Sequence, residues 1–193
     1  MPPDTLPEDT RMQKIFRGKH SERMLAFVAV VESWFMPIII EPFMILPVLA
    51  RPKSWFRIAT IVTVFSVIGG IAGYLTGLFF FEIIGARLVA LYGAQEYLEK
   101  TMTMFNDNVF WVIFAGAFTP LPYKIFTLVG GFLHVNFFMF ILASFVGRGL
   151  RFYAVAFIVA KFGERAPVFM KQFNIIAVAV GVILVAYAIH TLL

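Results

Sequence analysis

The sequence predicts an all-α integral membrane protein. Two re-entrant helical hairpins of opposite orientation and about three transmembrane helices form an inverted-repeat arrangement, with interfacial amphipathic helices beside them. Three observations predict it. Of 193 residues, 61% are hydrophobic and 14% charged, with a mean hydropathy of +0.88, against about 45–50% apolar and about 25% charged in an average soluble domain. Residues 58–81 run for 24 positions without a charge. Two further apolar stretches are each broken by clustered prolines and ionisable side chains. A soluble domain of this size cannot bury so much apolar surface, and so apolar a chain is not a disordered one.

Residues 1–23 form a polar tail followed by a basic amphipathic segment. Met12, Ile15 and Phe16 lie among Arg11, Lys14, Arg17, Lys19 and Arg23. The pattern suits a helix lying on an anionic leaflet as well as it suits a solvated tail that sets orientation. The first long apolar run starts only at Met24, unlike a cleavable signal peptide. Residues 24–50 contain Glu32, Pro37, Glu41, Pro42 and Pro47. Each mid-membrane charge costs about 2.5–3.5 kcal/mol on insertion scales, and each proline removes a backbone donor. Two half-helices meeting near Pro37, entering and leaving on one side, reconcile these facts, because broken backbone is tolerated at membrane depth inside protein or beside a wet cavity.

The uncharged run 58–81 exceeds the about 20 residues that a span requires. Gly69, Gly73 and Gly77 recur on it every four residues, a bare stripe for close helix packing. Residues 82–107 read as an interfacial linker, with Ile84, Leu88, Leu91, Leu98, Met102 and Phe105 at helical spacing among charged positions. Residues 108–133 repeat the first pattern as a second hairpin, broken at Pro120 and Pro122 and carrying Lys124, with Gly130 and Gly131 as packing positions. A span at 135–160 contains Arg148 and Arg151. The C-terminal unit, 166–193, holds a last span with Asn174 as a plausible helix start. The membrane domain therefore covers 24–165.

Charge asymmetry orients these elements. The basic residues of 11–23 and Arg51, Lys53 and Arg57 place those segments in the cytoplasm, and the linker, with two basic and four acidic residues, falls outside. The N-terminus is then cytoplasmic, the C-terminus lies outside, and the two hairpin-plus-span units are inverted. Broken helices meeting near the midplane are where such folds bind substrate. The net charge of +5 follows from this bias, and no basic groove with stacking aromatics suggests nucleic acid.

Five charged residues fall at membrane depth: Glu32, Glu41, Lys124, Arg148 and Arg151. Arg148 and Arg151, three apart, share a helix face. The five could merely neutralise one another, yet buried pairs contribute little stability and intramembrane charges are functional candidates by default. One excess cation suits an anionic substrate such as a lipid phosphate, whose oxygens fit the arginine fork. Carboxyl groups withdrawn from water hold protons more readily, so Glu32 and Glu41 are candidates for proton coupling. Thr119, Tyr123, Thr127 and Asn136 fit cavity lining, packing or capping equally well. His134 and His190 lack partners at metal spacing. Zero cysteines exclude thiolate chemistry, no serine-hydrolase elbow or zinc-protease motif is present, and neither an enzyme, a metal nor a cofactor is expected.

The Glu32, Pro37, Glu41-Pro42 hairpin, the run Thr119-Pro120-Leu121-Pro122-Tyr123-Lys124 with Gly130-Gly131, and Gly147-Arg148-Gly149-Leu150-Arg151-Phe152 together resemble the DedA superfamily. The family is also called VTT-domain or SNARE-associated Golgi proteins, and the likeness is greatest to its YqaA branch, over roughly residues 24–165. The resemblance implies two facing re-entrant hairpins and a flippase or scramblase that moves phospholipid or undecaprenyl phosphate across a bacterial inner membrane, with protons as coupling ion. It implies an acidic pair in hairpin one, matched by Glu32 and Glu41. Hairpin two of the family carries F-x-R-F-x-P-x-x-R. Here Lys124 stands near the second arginine, while Ala117 and Phe118 occupy the region of the first, leaving Arg148 and Arg151 as the basic residues available. Alternatives are a proton-coupled carrier of small ions or osmolytes and a non-transporting membrane scaffold. A homodimer packed through the glycine stripe is compatible with all three.

Overall fold

The computed structural model describes residues 19–34, 40–93 and 95–190. All of its regular structure is helical: α1 Lys19–Trp34, α2 Glu41–Ala50, α3 Trp55–Phe80, α4 Ala86–Tyr92, α5 Gln95–Phe118, α6 Tyr123–Phe132, α7 Phe137–Phe162 and α8 Ala166–His190. Three helical stretches are long and apolar enough to cross a membrane: Pro52–Gly85, Phe137–Phe162 and Ala166–Leu184. The expected span at 58–81 lies within the first and that at 135–160 largely within the second. The last span begins at Ala166, eight residues before the start expected at Asn174.

α3 and α7 form the central pair. α1, α6 and α7 pack on α3, and α7 is flanked by α5 and α2. Two separate apolar clusters hold the ends of this pair. One joins Leu25, Met44, Val48, Ile58, Val62, Phe152 and Val159 with Ala166. The other joins Tyr74, Val109, Ile113, Val135, Phe140 and Ala143. Between them, halfway along both helices, lies a buried polar layer containing Thr63 and Ser66 of α3 and Ser144, Arg148 and Arg151 of α7.

The beginning of α1 and the end of α2 meet at one pole. Glu22 accepts from Arg57 at 2.8 Å and from Arg51 at 3.4 Å, and Arg51 also donates to Ser21 at 3.0 Å. α1 and α2 therefore double back. Pro42 lies in the first turn of α2 rather than in the break, a position where a missing N–H is harmless because it would have no acceptor. Pro37 and the amphipathic segment up to residue 18 fall outside the described residues. The second break behaves as the prolines predict. Thr119–Pro122 is not helical, and Pro122, with ψ 95°, turns the chain into α6.

The division expected between a linker ending at 107 and a hairpin starting at 108 is no break, because α5 runs through it from Gln95 to Phe118. The real interruption is at Gly93, which takes a left-handed conformation (φ 62°) that glycine adopts without steric penalty. It splits the predicted apolar stripe. Leu98, Met102 and Phe105 pack against the second cluster, while Ile84 and Leu91 stand exposed. Asn106 nonetheless marks where α5 meets the start of α7: its Oδ1 accepts from the Asn136 N–H at 2.9 Å, and the Asn136 side chain caps α7 by accepting from Met139 at 3.0 Å.

The glycine stripe is used within the chain. Gly69 faces the Val30 carbonyl and Ser33 of α1, Gly73 faces Thr127 of α6, and Gly77 and Gly131 each abut backbone on the opposite helix, at Leu128 and Tyr74. Gly130 differs: a methyl group there would meet Val135, Ile113 and Phe140 side chains at ordinary distances of 3.4–3.6 Å. Gly131→Ala is thus expected to destabilise by about 1–3 kcal/mol through overpacking against backbone. Gly130→Ala should be neutral or stabilising by about 0.5–1 kcal/mol, the helical penalty of glycine. Thermal melts of the two variants in detergent check the contrast, and equal melting points would refute the close approach at Gly131.

Candidate functional site: paired carboxylates and arginines in the polar layer

The site is built on one turn of α7. Arg148 and Arg151, adjacent on its inner face, reach different helices: Arg148 the end of α1, and Arg151 the start of α2 and the end of α5. The Nη2 of Arg148 donates to Glu32 Oε2 at 2.6 Å and to Ser33 Oγ at 3.3 Å, and its Nε donates to Ser66 Oγ at 2.7 Å. Ser33 donates its single hydroxyl proton to Glu32 at 2.9 Å and lies 2.7 Å from Ser66 Oγ, so Ser66 is the donor between the two hydroxyls. The guanidinium carbon lies 4.9 Å from the Tyr123 ring centroid and 4.6 Å from that of Phe152. Ion pair, hydroxyls and π-faces together account for a cation with only 5% of its side chain exposed.

Arg151 joins two helix ends. Its Nη1 donates to the carbonyl of Phe118, the last residue of α5, at 3.0 Å, and its Nη2 donates to Glu41, the first residue of α2. A terminal helix carbonyl has no intrahelical donor, and the negative end of the helix dipole favours a cation. Glu41 is equally well placed, as an acid at a helix N-terminus. One arginine thus ties the start of α2 to the end of α5.

Four of the five charges expected at depth converge here as two ion pairs, Glu32 with Arg148 and Glu41 with Arg151. Lys124 is apart: it is half-buried near the start of α6, and among the described residues no carboxylate lies within ion-pair distance of it. The excess positive charge inferred from the sequence therefore resides on Lys124, and both arginines are already engaged by carboxylates. Pro120 and Pro122 sit in the break just before Lys124. Thr127 turns its hydroxyl onto the Lys124 carbonyl at 2.9 Å. Thr119 bonds the Ala115 carbonyl at 2.8 Å, and Tyr123 lies under Arg148.

An uncharacterized protein of Haemophilus influenzae is 35% identical to this chain over 167 residues, 86% of each protein. A protein of Histophilus somni, described as an uncharacterized HI0703 homolog, is 30% identical over 169 residues, 88% of this chain and 87% of its own. The chain belongs to their family. No protein-family model and no solved structure matches it.

Ser33 and Ser66 join the candidate site through hydrogen bonds to Glu32 and Arg148 and are not among the residues the sequence singles out. Their signal was faint but present. Ser33 adjoins Glu32, and Ser66 is one of few hydroxyls in a 24-residue uncharged run, where a polar atom needs a partner. Gly70 and Gly147 were also missed. Gly70 leaves room for the Tyr123 hydroxyl, and Gly147 lets α7 approach Ala117 and the Phe114 carbonyl of α5.

Removing one member of a buried pair leaves the other uncompensated. Arg148→Met is expected to cost about 3–5 kcal/mol, and adding Glu32→Gln should return a substantial part of that loss. Chemical denaturation of the two single variants and the double variant gives the coupling energy. Strict additivity would mean that Glu32 and Arg148 do not interact.

Proposed function

We propose that the chain carries a phosphate-bearing lipid between the leaflets of a bacterial inner membrane, exchanging protons for the anionic head group at the two carboxylate–arginine pairs. The observation that carries this reading is an apolar groove of about 340 Å³ between α3 and α6, lined by Thr76, Gly77, Phe80, Leu128, Val129 and Phe132. On α3 it begins at Thr76, ten residues or about 15 Å along the helix from Ser66 of the polar layer. Thr76 accepts from the Trp34 indole at 3.0 Å, two residues from Glu32, and Gly77 is one turn from Gly73, which touches Thr127. A carrier of small ions has no use for an apolar slot leading away from the helices that hold its charges. An amphiphile needs both, a polar point for its head and an apolar path for its tail.

The chemistry follows from the pairing. While Glu32 and Glu41 are ionised, they occupy Arg148 and Arg151, and a phosphate would have to enter against them. Protonation of a carboxyl removes its charge and frees the guanidinium fork for two phosphate oxygens. Deprotonation restores the pair and expels the anion. The carboxylates are the more exposed partners, 15% and 12% against 5% and 4% for the arginines, so protons reach them more easily. In this reading the two doubled-back segments, α1–α2 and α5–α6, are re-entrant hairpins of opposite orientation, the N-terminus is cytoplasmic, and the resemblance to the DedA superfamily reflects common descent. Lys124, with no carboxylate partner among the described residues, stands at the second break and adds attraction for the head group.

Liposomes holding either a labelled phospholipid or a polyprenyl phosphate test it, with and without a pH gradient. Wild type should move label between leaflets. Glu41→Gln should lose pH dependence while still inserting, and Val129→Trp, which fills the groove, should slow lipid at least tenfold without affecting uptake of inorganic phosphate. Lipid movement unchanged by either variant, or none by a folded wild type, would overturn the proposal. A small-anion carrier would show phosphate uptake alone.

A further inference from the structure

We infer a second lipid site, outside the polar layer: a groove between α2 and α8 that holds an anionic phospholipid at the basic pole of the bundle. The groove has a volume of about 620 Å³, within the about 300–1,000 Å³ typical of ligand sites. Its α8 wall presents Lys171, Asn174, Ile175 and Val178, and Ile45 of α2 forms the opposite side. Positions 171, 174, 175 and 178 fall on one helix face, with the polar pair toward the start of α8 and the apolar pair further along.

That gradient selects the occupant. Lys171 lies five residues into α8, about 7.5 Å from its start, near the end of an apolar helix where a lipid phosphate would sit. Its ammonium is exposed, and among the described residues no carboxylate pairs with it. The Asn174 amide, one turn deeper, is set to donate to a glycerol ester carbonyl. Ile175, Val178 and Ile45 then line the path of an acyl chain. A helix from a second copy, apolar along its length, would leave Lys171 without a counter-ion, whereas an anionic lipid supplies one. The last turn of α7 adds Lys161 and the turn before α8 adds Arg165, and anionic head groups concentrate on the leaflet facing such residues. α8 itself has only 11% of its most apolar window buried in the protein, so lipid has free access to the groove. The site shares no residue with the carboxylate–arginine pairs, and the inference stands whether or not they transport lipid.

Native mass spectrometry of the full chain tests it, after incubation in detergent with equal phosphatidylglycerol and phosphatidylcholine. Wild type should retain phosphatidylglycerol several-fold over phosphatidylcholine. Lys171→Glu, at an exposed position that leaves folding intact, should remove that preference, and Val178→Trp should lower retention of both lipids. Equal retention by wild type, or a preference that survives Lys171→Glu, would overturn the inference. So would efficient disulfide formation between two copies carrying Ile175→Cys, since the chain has no other cysteine and such a bond would show protein, not lipid, in the groove.

Discussion

Four ionisable side chains sit halfway along an apolar bundle, and a charge held there must find its counter-charge within the same layer, because water and salt do not screen it. This requirement organises the structure. Arg148 and Arg151 project from one turn of α7, so their carboxylate partners must come to that turn. Glu32 is brought at the end of α1 and Glu41 at the start of α2. The end of α1 and the start of α2 are thereby held at the same level of the bundle. α5 ends at the same level because Arg151 also holds the carbonyl of Phe118. Two breaks in the helical backbone, each costly by itself, converge on a single pair of guanidinium groups.

Close packing makes this convergence possible. For α1 and α6 to pack side by side on one face of α3 beside the polar layer, their backbones must come nearer than ordinary side chains permit. Gly69, Gly73 and Gly77 clear one face of α3, and Gly131 clears the matching point on α6. The hydroxyls of Ser33 and Ser66 then fill the space beside Arg148 and pass hydrogen bonds from one to the next toward Glu32. Each is small enough for the crossing and polar enough for the cation. The apolar clusters on either side close the layer off, which strengthens every electrostatic contact within it.

Much of this was legible in the sequence. Composition and the uncharged run at 58–81 are enough for an all-helical protein with long apolar helices. Pro120 and Pro122 mark the second break, since a ring without an N–H leaves few backbone choices. What was not legible depends on distance. Hydropathy pattern identifies Glu32, Glu41, Arg148 and Arg151 as charges at depth but carries no information on which acid meets which base, a matter of how α1, α2 and α7 cross. The excess cation was therefore assigned to the group as a whole, whereas the fold leaves it on Lys124. The sequence pattern divides linker from hairpin at 107/108, where mixed polar spacing gives way to an apolar run. Backbone geometry responds instead to Gly93, whose left-handed φ is the stronger interruption, and α5 continues unbroken through the change in polarity.

The pairing also decides what sort of device the layer can be. A site built to hold an anion permanently would leave arginines free and stabilise them by other donors. Here each guanidinium faces an ionisable carboxyl, and removal of that carboxyl's charge is the smallest change that alters what the arginine attracts. Because Arg151 bonds both Glu41 and the end of α5, loosening one contact alters the restraint on the other. A proton arriving at Glu41 thereby weakens the link between the two broken segments as well as exposing a cation. In the proposed carrier, charge exchange and the freedom of the two segments to move apart would be coupled through this one side chain. This is the physical basis on which the carrier reading differs from a static staple made of the same residues.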